Sequence, residues 1–238
     1  MTSVDYATKP LHHLQPRFAT TTDAEQAEGL RRALNLMVAT LGLVVTAPLM
    51  AAIALAIKVT SPGPVFYTQS RIGIDRRARG APGNSRRLAD CGGKPFQIYK
   101  FRTMAAQTAA QPVDEVWAKP DDPRVTPLGR ILRLYRLDEL PQLINVLLGD
   151  MNVVGPRPEQ PTIFARMREH IECYQDRQRV RPGITGWAQV NQRYDSSVDD
   201  VKAKVKFDLE YIERQSVLED LRIMACTLPV IMGKRGAW

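Results

Sequence analysis

Two adjacent carboxylates, Asp138 and Glu139, stand in the segment 133–143, which reads RLYRLDELPQL. The pair lies between two apolar patterns of helical period, and Pro141 follows it as a residue favoured in the first turn of a helix. In a structural interpretation, Asp138 caps the second helix and Glu139 complements its dipole. In a chemical interpretation, an ionised Asp138 attacks phosphorus as a nucleophile, while Glu139 binds a Mg²⁺ ion that bridges a diphosphate. The segment alone leaves both interpretations open.

Basic residues accompany this pair in an unusual surplus. Arg133 and Arg136 are close enough in sequence to favour an ionised carboxylate. Arg157 is flanked by prolines in GPRPE, which fixes its direction, and Arg181 opens the turn RPGITG, whose backbone N–H groups suit an anion. Arginine forks match phosphate oxygens in a bidentate way. The candidate phosphate- or nucleotide-binding residues are Lys100, Arg102, Arg136, Arg157, Arg181 and Arg193.

The overall composition narrows the chemistry further. The formal net charge of +8 indicates an anionic partner, which is a nucleic acid, an anionic membrane or a phosphorylated substrate. No helix-turn-helix pattern, RNA-binding aromatic motif or zinc finger supports a nucleic acid. Three scattered cysteines and three histidines argue against a disulfide framework, a zinc site and histidine-based catalysis. Catalysis is therefore expected to rest on carboxylates and arginines.

An uncharged apolar stretch over residues 33–57 predicts a membrane helix. Pro48 lies inside it and predicts a kink. At 1.5 Å per residue the arms before and after Pro48 are about 22 and about 14 Å long, so neither spans a hydrocarbon core of about 30 Å alone. Either a kinked single span or a re-entrant helix fits, and the basic residues on both flanks favour the re-entrant course.

The remaining pattern predicts a helix-dominated α+β fold. Val65–Gln69 and Phe96–Phe101 are rich in β-formers and predict a hairpin. The basic, glycine-rich loop between them, 75–94, is either a solvated insertion or a contact to anionic lipid headgroups. Apolar periodicity predicts helices near 128–135, 140–148, 160–175, 201–214 and 218–232. The predicted organisation is a mobile tail at 1–30, a membrane anchor at 31–60 and a catalytic domain at 61–238.

Four ordered motifs carry a resemblance to a known family: SPGPVFYTQSRIG, FQIYKFRTM, LDELPQLINVLLGDMNVVGPRPE and VRPGITGWAQVNQR. Over residues 31–235 the chain resembles the bacterial sugar transferases, the monotopic polyprenyl-phosphate phosphoglycosyl transferases, in their short, single-anchor form. The resemblance implies that Asp138 attacks the β-phosphate of a UDP-sugar and expels UMP. A polyprenyl phosphate, usually undecaprenyl phosphate, then takes the sugar phosphate from the aspartyl intermediate. Glu139 is the implied Mg²⁺ ligand, and Mg²⁺ the implied cofactor.

The same resemblance implies a membrane location, a set of partners and a biosynthetic role. Arg157 matches a phosphate-binding position between prolines. The anchor is expected to be re-entrant in the bacterial inner membrane, broken at Ala47–Pro48 where the family has Ser-Pro, with the catalytic domain on the cytoplasmic face. The implied partners are a UDP-sugar, undecaprenyl phosphate and membrane lipids, with no nucleic acid, and a homo-oligomer is left open. The implied role is the first membrane step of exopolysaccharide or related glycan synthesis.

A different class of function also fits the charge and the anchor. A basic, membrane-tethered module that binds anions or lipid headgroups without catalysis would share both features. The two hypotheses differ in whether Asp138 is needed for any turnover.

Overall fold

The computed structural model describes residues 21–75, 92–105, 122–192 and 198–233. The fold is α+β and dominated by helix, as predicted, with two small two-stranded sheets among the described residues. Two 3₁₀ turns, Leu137–Glu139 and Tyr174–Arg179, interrupt the series. The regular elements are α1 (Thr21–Thr60), β1 (Phe66–Ile72), β2 (Pro95–Phe101), α2 (Pro127–Leu134), α3 (Gln142–Leu148), β3 (Asn152–Val154), α4 (Pro161–His170), β4 (Gly183–Thr185), α5 (Trp187–Asn191), α6 (Val198–Arg214) and α7 (Val217–Met232).

Helix α1 begins before the predicted anchor. It starts at Thr21, so residues 21–30 of the predicted mobile tail are helical, whereas residues 1–20 lie outside the described part of the chain. One physical reason for this early start is an ion pair in the first turns of α1: Arg181 Nη1 lies 2.6 Å from Glu28 Oε1. The first turns of α1 are therefore tied to the rest of the protein.

The middle of α1 is apolar and exposed. The segment Glu25–Thr60 is long and apolar enough to cross a membrane, and only 11% of its most apolar window is buried inside the protein. A core helix of a soluble protein would bury this surface, so the exposure favours a lipid-facing helix. The helix continues through Pro48 without a gap, so the expected break at Ala47–Pro48 is not an interruption of helical structure. Near it, the Thr46 hydroxyl donates to the Gly42 carbonyl at 2.7 Å, a type of bond that often bends helices.

Both arms of α1 pack against the same body. Before Pro48, Ala39 is fully buried, and the side-chain amide of Asn35 bonds to the backbone of Arg31 and of Val153. After Pro48, a second buried cluster joins this arm to β2 and α2 and consists of Ile53, Ile57, Phe101 and Leu132. Both arms of the apolar helix are therefore held by packing against the rest of the protein.

Strands β1 and β2 form the predicted antiparallel hairpin. Phe66 pairs with Phe101, and Ile72 pairs with Pro95 at the other end. The rings of Phe66 and Phe101 stack with centroids 5.4 Å apart. Most of the basic loop between the strands, residues 76–91, lies outside the described part of the chain.

The second sheet was not predicted from the sequence. Strands β3 and β4 pair in parallel, with Asn152 opposite Gly183 and Val154 opposite Thr185. Three-residue strands are too short to show a period of two. The backbones approach so closely that a Cβ added at Gly183 would lie 2.1 Å from the Gly155 nitrogen. This pairing brings the GPRPE and RPGITG loops together.

The helices largely match their predicted positions, with one correction. Helix α3 ends at Gly149, whose φ of 85° is in the left-handed region that glycine favours. The helix predicted for 160–175 is wrong beyond His170, because Ile171 is extended and buried and Cys173 has a φ of 62°. The chain continues there as a 3₁₀ turn.

Candidate active site

The two adjacent acids lie in the 3₁₀ turn Leu137–Glu139, just ahead of α3. Arg136 precedes this turn with a φ of 56°, which reverses the chain direction. The structural interpretation of Asp138 as the helix cap is wrong, since the N-cap of α3 is Pro141 and no side chain makes a capping bond there. Asp138 and Glu139 are nevertheless 8% and 6% exposed. Burying two carboxylates without a capping role favours a chemical one.

Glu139 is held by basic residues from three different segments. Its Oε1 accepts from Lys100 Nζ at 2.8 Å and from Arg157 Nη2 at 2.7 Å. Its Oε2 has longer contacts, 3.5 Å to Arg157 Nη1 and 3.7 Å to Arg136 Nη1. Burial alone would raise the pKa of Glu139, but Arg157, Lys100 and Arg136 outweigh it and hold the pKa well below its usual value.

Asp138 differs from its neighbour. Within the described residues its carboxylate makes no hydrogen bond or ion pair. Burial raises its pKa above the usual value, the charge of Glu139 adds to the rise, and Lys100 opposes it. The expectation that Arg133 and Arg136 hold Asp138 ionised is met only in part: the charge of Arg133 lowers the pKa of Asp138, but burial outweighs it, and Arg136 faces Glu139. We call Asp138, Glu139, Lys100, Arg136 and Arg157 the carboxylate cluster.

The GPRPE loop is fixed from both sides, which aims Arg157 at Glu139. From β1, Arg71 Nη1 donates to the Pro158 carbonyl at 3.2 Å, and the Ile72 N–H donates to the Glu159 carbonyl at 2.9 Å. From the opposite side, Arg177 Nη2 donates to the carbonyl of Arg157 itself at 3.1 Å. The direction of Arg157 is therefore set by backbone contacts rather than by the two prolines alone.

Sequence reasoning missed Arg71 as a residue of the site. Its charge lies close enough to influence Arg157 and Glu139, and its Nε is buried without a partner. A signal was present in the hairpin, because Tyr67 pairs with Lys100 and residues at even spacing share a strand face. Arg71 is four residues after Tyr67 and so lies on the face that carries Lys100.

A second set of charged residues stabilises the GPRPE loop. Arg177 Nε lies 2.7 Å from Asp208 Oδ2, and Lys204 Nζ lies 2.7 Å from Glu159 Oε1. Lys204 and Asp208 are one turn apart on α6, so a single helix face binds both partners. Burial alone would raise the pKa of Glu159, but Lys204 and Arg177 outweigh it and lower the pKa to about 2. We call these four residues the α6 network.

Two predicted phosphate-binding residues are not in the carboxylate cluster, and a third lies outside the described residues. Arg102 donates to the Ser61 carbonyl at 2.8 Å and to the Pro62 carbonyl at 2.5 Å, so it fixes the turn after α1. Arg181 Nε donates to the Gly149 carbonyl at 3.1 Å, and its Nη1 binds Glu28. Arg193 lies in 193–197, outside the described residues.

The prediction that RPGITG offers its backbone N–H groups to an anion is wrong for one of them. The Gly183 N–H donates to the Pro156 carbonyl at 2.9 Å. The pairing of β4 with β3 explains this, because the short sheet uses the backbone of both loops.

The two carboxylates fit a metal ion that arrives with a substrate better than one held by the protein alone. Among the described residues no group of three or more His, Cys, Asp and Glu side chains is placed to hold a metal. Mg²⁺ is usually bound through one or two carboxylates together with substrate phosphates. Glu139 Oε2, with its longer contacts, and the unpaired Asp138 supply that number of ligands.

The cluster as a whole is suited to an anionic substrate. Three cations converge on one carboxylate, so a diphosphate would meet a surplus of positive charge beside an unpaired Asp138. Side chains of Lys100 and Arg157 are 18% and 32% exposed, so both are reachable from solvent. This arrangement can bind a diphosphate and attack it with a carboxylate.

The family model and the related proteins all indicate the same family. The family model described as bacterial sugar transferase matches residues 26–234. The chain is 41% identical over 201 residues to the UDP-glucose:undecaprenyl-phosphate glucose-1-phosphate transferase of Escherichia coli (strain K12), covering 84% of this chain and 39% of the relative. It is 38% identical over 208 residues to the UDP-N-acetylgalactosamine-undecaprenyl-phosphate N-acetylgalactosaminephosphotransferase of Aeromonas hydrophila, covering 87% and 45%.

A third relative is closer in length. The UDP-glucose:undecaprenyl-phosphate glucose-1-phosphate transferase of Caulobacter vibrioides is 38% identical over 210 residues, covering 87% of this chain and 72% of the relative. The chain thus spans less than half the length of the first two relatives. The shared region includes all the residues of the carboxylate cluster, since they lie within the family match.

Proposed function

Because the chain belongs to the bacterial sugar transferase family, we propose that it transfers a sugar 1-phosphate from a UDP-sugar to undecaprenyl phosphate and releases UMP. The observation that carries the proposal is the buried carboxylate of Asp138, unpaired among the described residues, beside a carboxylate that three cations surround. The names of the relatives supply the two substrate classes.

Two displacements at one phosphorus complete the proposed reaction. A carboxylate oxygen of Asp138 attacks the β-phosphorus of the UDP-sugar, and the bond from that phosphorus to the bridging oxygen breaks. UMP leaves with the electron pair, and the sugar phosphate stays on Asp138 as an acyl phosphate. An oxygen of undecaprenyl phosphate then attacks the same phosphorus. The bond to Asp138 breaks, and the products are the free carboxylate and undecaprenyl diphosphate sugar.

The basic residues of the cluster stabilise the charge that moves in both steps. Arg157 presents a fork that matches two phosphate oxygens, and Lys100 adds a point charge beside it. Substrate phosphate would replace Glu139 as their partner, since the two cations share a single carboxylate oxygen in its absence. The charges of Lys100 and Arg157 lower the pKa of Asp138 against the effect of burial and so favour its ionised form. Mg²⁺, held by Glu139 with Asp138 beside it, would supply further neutralisation of the diphosphate.

The anchor places this reaction at a membrane surface. Both arms of α1 pack on the catalytic body, which supports a helix that enters and leaves the bilayer on the same side. We propose that this side is the cytoplasmic face of the bacterial inner membrane. There the cluster would meet a soluble nucleotide sugar and a lipid phosphate at once, as the first membrane step of exopolysaccharide or related glycan synthesis requires.

The test measures UMP release from a panel of UDP-sugars by protein in nanodiscs that contain undecaprenyl phosphate and Mg²⁺. We expect turnover with at least one sugar and a loss of at least about 1,000-fold in Asp138→Asn, because the nucleophile is removed. Asp199→Asn is the matched control, since Asp199 is an exposed acid on α6 and its loss changes the net charge equally. Turnover of Asp138→Asn within tenfold of the control would contradict the proposed nucleophile.

The intermediate has its own test. Without undecaprenyl phosphate, one equivalent of UMP should be released per enzyme, and the peptide that contains Asp138 should gain the mass of a sugar phosphate. A folded protein that releases no UMP from any sugar, yet binds anionic vesicles, would favour the binding-module hypothesis instead.

A further inference from the structure

Asn145 is a fully buried amide in α3, and sequence reasoning gave it no role. Its Nδ2 donates to the Gln97 carbonyl at 2.7 Å, and its Oδ1 accepts from the Tyr99 N–H at 3.0 Å. Gln97 and Tyr99 are alternate residues of β2, so these groups point to the edge of β2 that faces away from β1. The side chain of Asn145 thus pairs with β2 as a neighbouring strand would.

Few side chains can make this pair of contacts. β2 has β1 on one side, and its other edge is covered by α3, where backbone groups need partners. A carboxamide carries a donor and an acceptor on one rigid plane, which is what a strand backbone presents at every second residue. A carboxylate lacks the donor, and an aliphatic side chain lacks both.

The two hydrogen bonds of Asn145 connect the two segments that carry the site. Lys100 directly follows Tyr99, and its Nζ lies 2.8 Å from Glu139 Oε1. Asn145 follows Glu139 by six residues, and the 3₁₀ turn and α3 connect the two. Fixing Asn145 to β2 therefore fixes the strand that carries Lys100 relative to the segment that carries Asp138 and Glu139.

We propose that Asn145 is a positioning residue that holds Lys100 in register with the two carboxylates. The proposal rests on the function proposed above, since it concerns the same site. Without the amide, the outer edge of β2 separates from α3, and the Nζ of Lys100 loses its fixed distance to Glu139. Lys100 is then no longer placed to stabilise the charge on the transferring phosphate.

A double-mutant cycle tests this coupling. We expect Asn145→Ala to lower kcat for UMP release by up to about 100-fold, as a displacement of about 1 Å can, with a smaller change in KM. Lys100→Met should lower kcat as well. If Asn145 acts through Lys100, the double variant should be no slower than Lys100→Met alone. Effects that multiply in the double variant would overturn the proposal.

Asn35 provides the matched control. Its amide is also fully buried and also bridges two segments, donating to the Arg31 carbonyl and accepting from the Val153 N–H, but neither of these hydrogen bonds goes to β2. We expect Asn35→Ala to lower the melting temperature as Asn145→Ala does. Its kcat per folded protein should stay close to wild type. A loss of kcat in Asn35→Ala equal to that in Asn145→Ala would mean that any buried amide acts so, and would overturn the specific role.

A second measurement does not depend on turnover. Hydrogen exchange of the peptide that covers 96–101 should be faster in Asn145→Ala, because the Tyr99 N–H loses its acceptor. Should Asn145→Ala not fold, Asn145→Leu keeps the approximate size and removes both hydrogen bonds, so that the Tyr99 N–H still loses its acceptor. Unchanged exchange in the folded variant would overturn the inference. Faster exchange in a protein whose wild type never releases UMP would instead mean that the proposed function fails while the strand contact stands.

Discussion

The carboxylate cluster and the α6 network are both built from buried acids and bases, but they differ in balance. In the α6 network two acids meet two bases, and each acid has a partner at 2.7 Å. In the carboxylate cluster three bases meet Glu139, and Asp138 beside it has no hydrogen-bond or ion-pair partner within the described residues. Acids and bases in equal number neutralise each other and stabilise the fold. A surplus of bases leaves positive charge that an anionic ligand can neutralise.

Each region holds one acid with a lowered pKa and one with a raised pKa. In the α6 network the opposing charges lower the pKa of Glu159 to about 2, whereas burial raises the pKa of Asp208. In the carboxylate cluster the pKa values of two neighbouring acids diverge, since the pKa of Glu139 falls and that of Asp138 rises. Adjacent carboxyl groups with separated pKa values are typical of sites where they have different roles. Because the pKa directions are mixed in both regions, it is the balance of charge partners that assigns scaffold to one region and chemistry to the other.

The largest expected effect is on stability and comes from the α6 network. Asp208→Asn leaves the fully buried guanidinium of Arg177 without its charge partner, which should cost about 3 to 5 kcal/mol of unfolding free energy. Thermal or denaturant unfolding measures the loss, and UMP release per folded protein should stay near the wild-type value. A variant that remains as stable as wild type but loses turnover would break the comparison.

The pH dependence of stability should also come from the α6 network. The pKa of Glu159 falls from 4.5 to about 2 on folding, which corresponds to about 3 kcal/mol. A lowered pKa means that this stability is present above pH 4.5 and is lost as the pH falls toward 2. Glu159→Gln should therefore be less stable than wild type at pH 7, and the difference should shrink through this window. A difference that does not change between pH 7 and pH 3 would mean that Glu159 is not held in this way.

Arg157 is where the carboxylate cluster should respond most clearly. Arg157→Lys keeps the charge but loses the fork, so we expect kcat for UMP release to fall about 100-fold. Because the side chain is 32% exposed, the melting temperature should change little. Arg214→Lys is a suitable control, since Arg214 is an exposed arginine that pairs one turn away along α6. Equal losses in both variants would show that the effect is not local to the cluster.

The sequence predicted the longer helices, the hairpin and the acid pair, but not how the bases divide between site and scaffold. Apolar periods located α2, α6 and α7 closely, because these helices have one buried face. Arg102 and Arg157 were both predicted from the sequence to bind phosphate. They differ in where their forks point, and that depends on partners distant in sequence, such as the Ser61 carbonyl for one and Glu139 for the other.

Short elements and buried polar contacts account for the rest of what the sequence did not show. The β3–β4 pair is too short for a period, and Asn145 within an apolar run has no local signal of its contact with β2. Asp208 and Lys204 look like two charges on an exposed helix until α6 packs against the loop that carries Glu159. The charge balance at a site depends on which segments pack together, so no single segment of the sequence predicts it.

Arg181 gives the smallest expected effect and the sharpest test of that distinction. Its sequence context predicts a phosphate-binding residue, but its guanidinium binds Glu28 and the carbonyl of Gly149 at the end of α3. If these contacts describe its whole role, Arg181→Gln should change KM for the UDP-sugar by less than about threefold and stability by about 1 kcal/mol. Glu28→Gln is the matched variant, since it removes the same ion pair from the other side and should have a similarly small effect. A large rise in KM for Arg181→Gln alone would place Arg181 at the substrate, and the division between the two regions would then have to be redrawn.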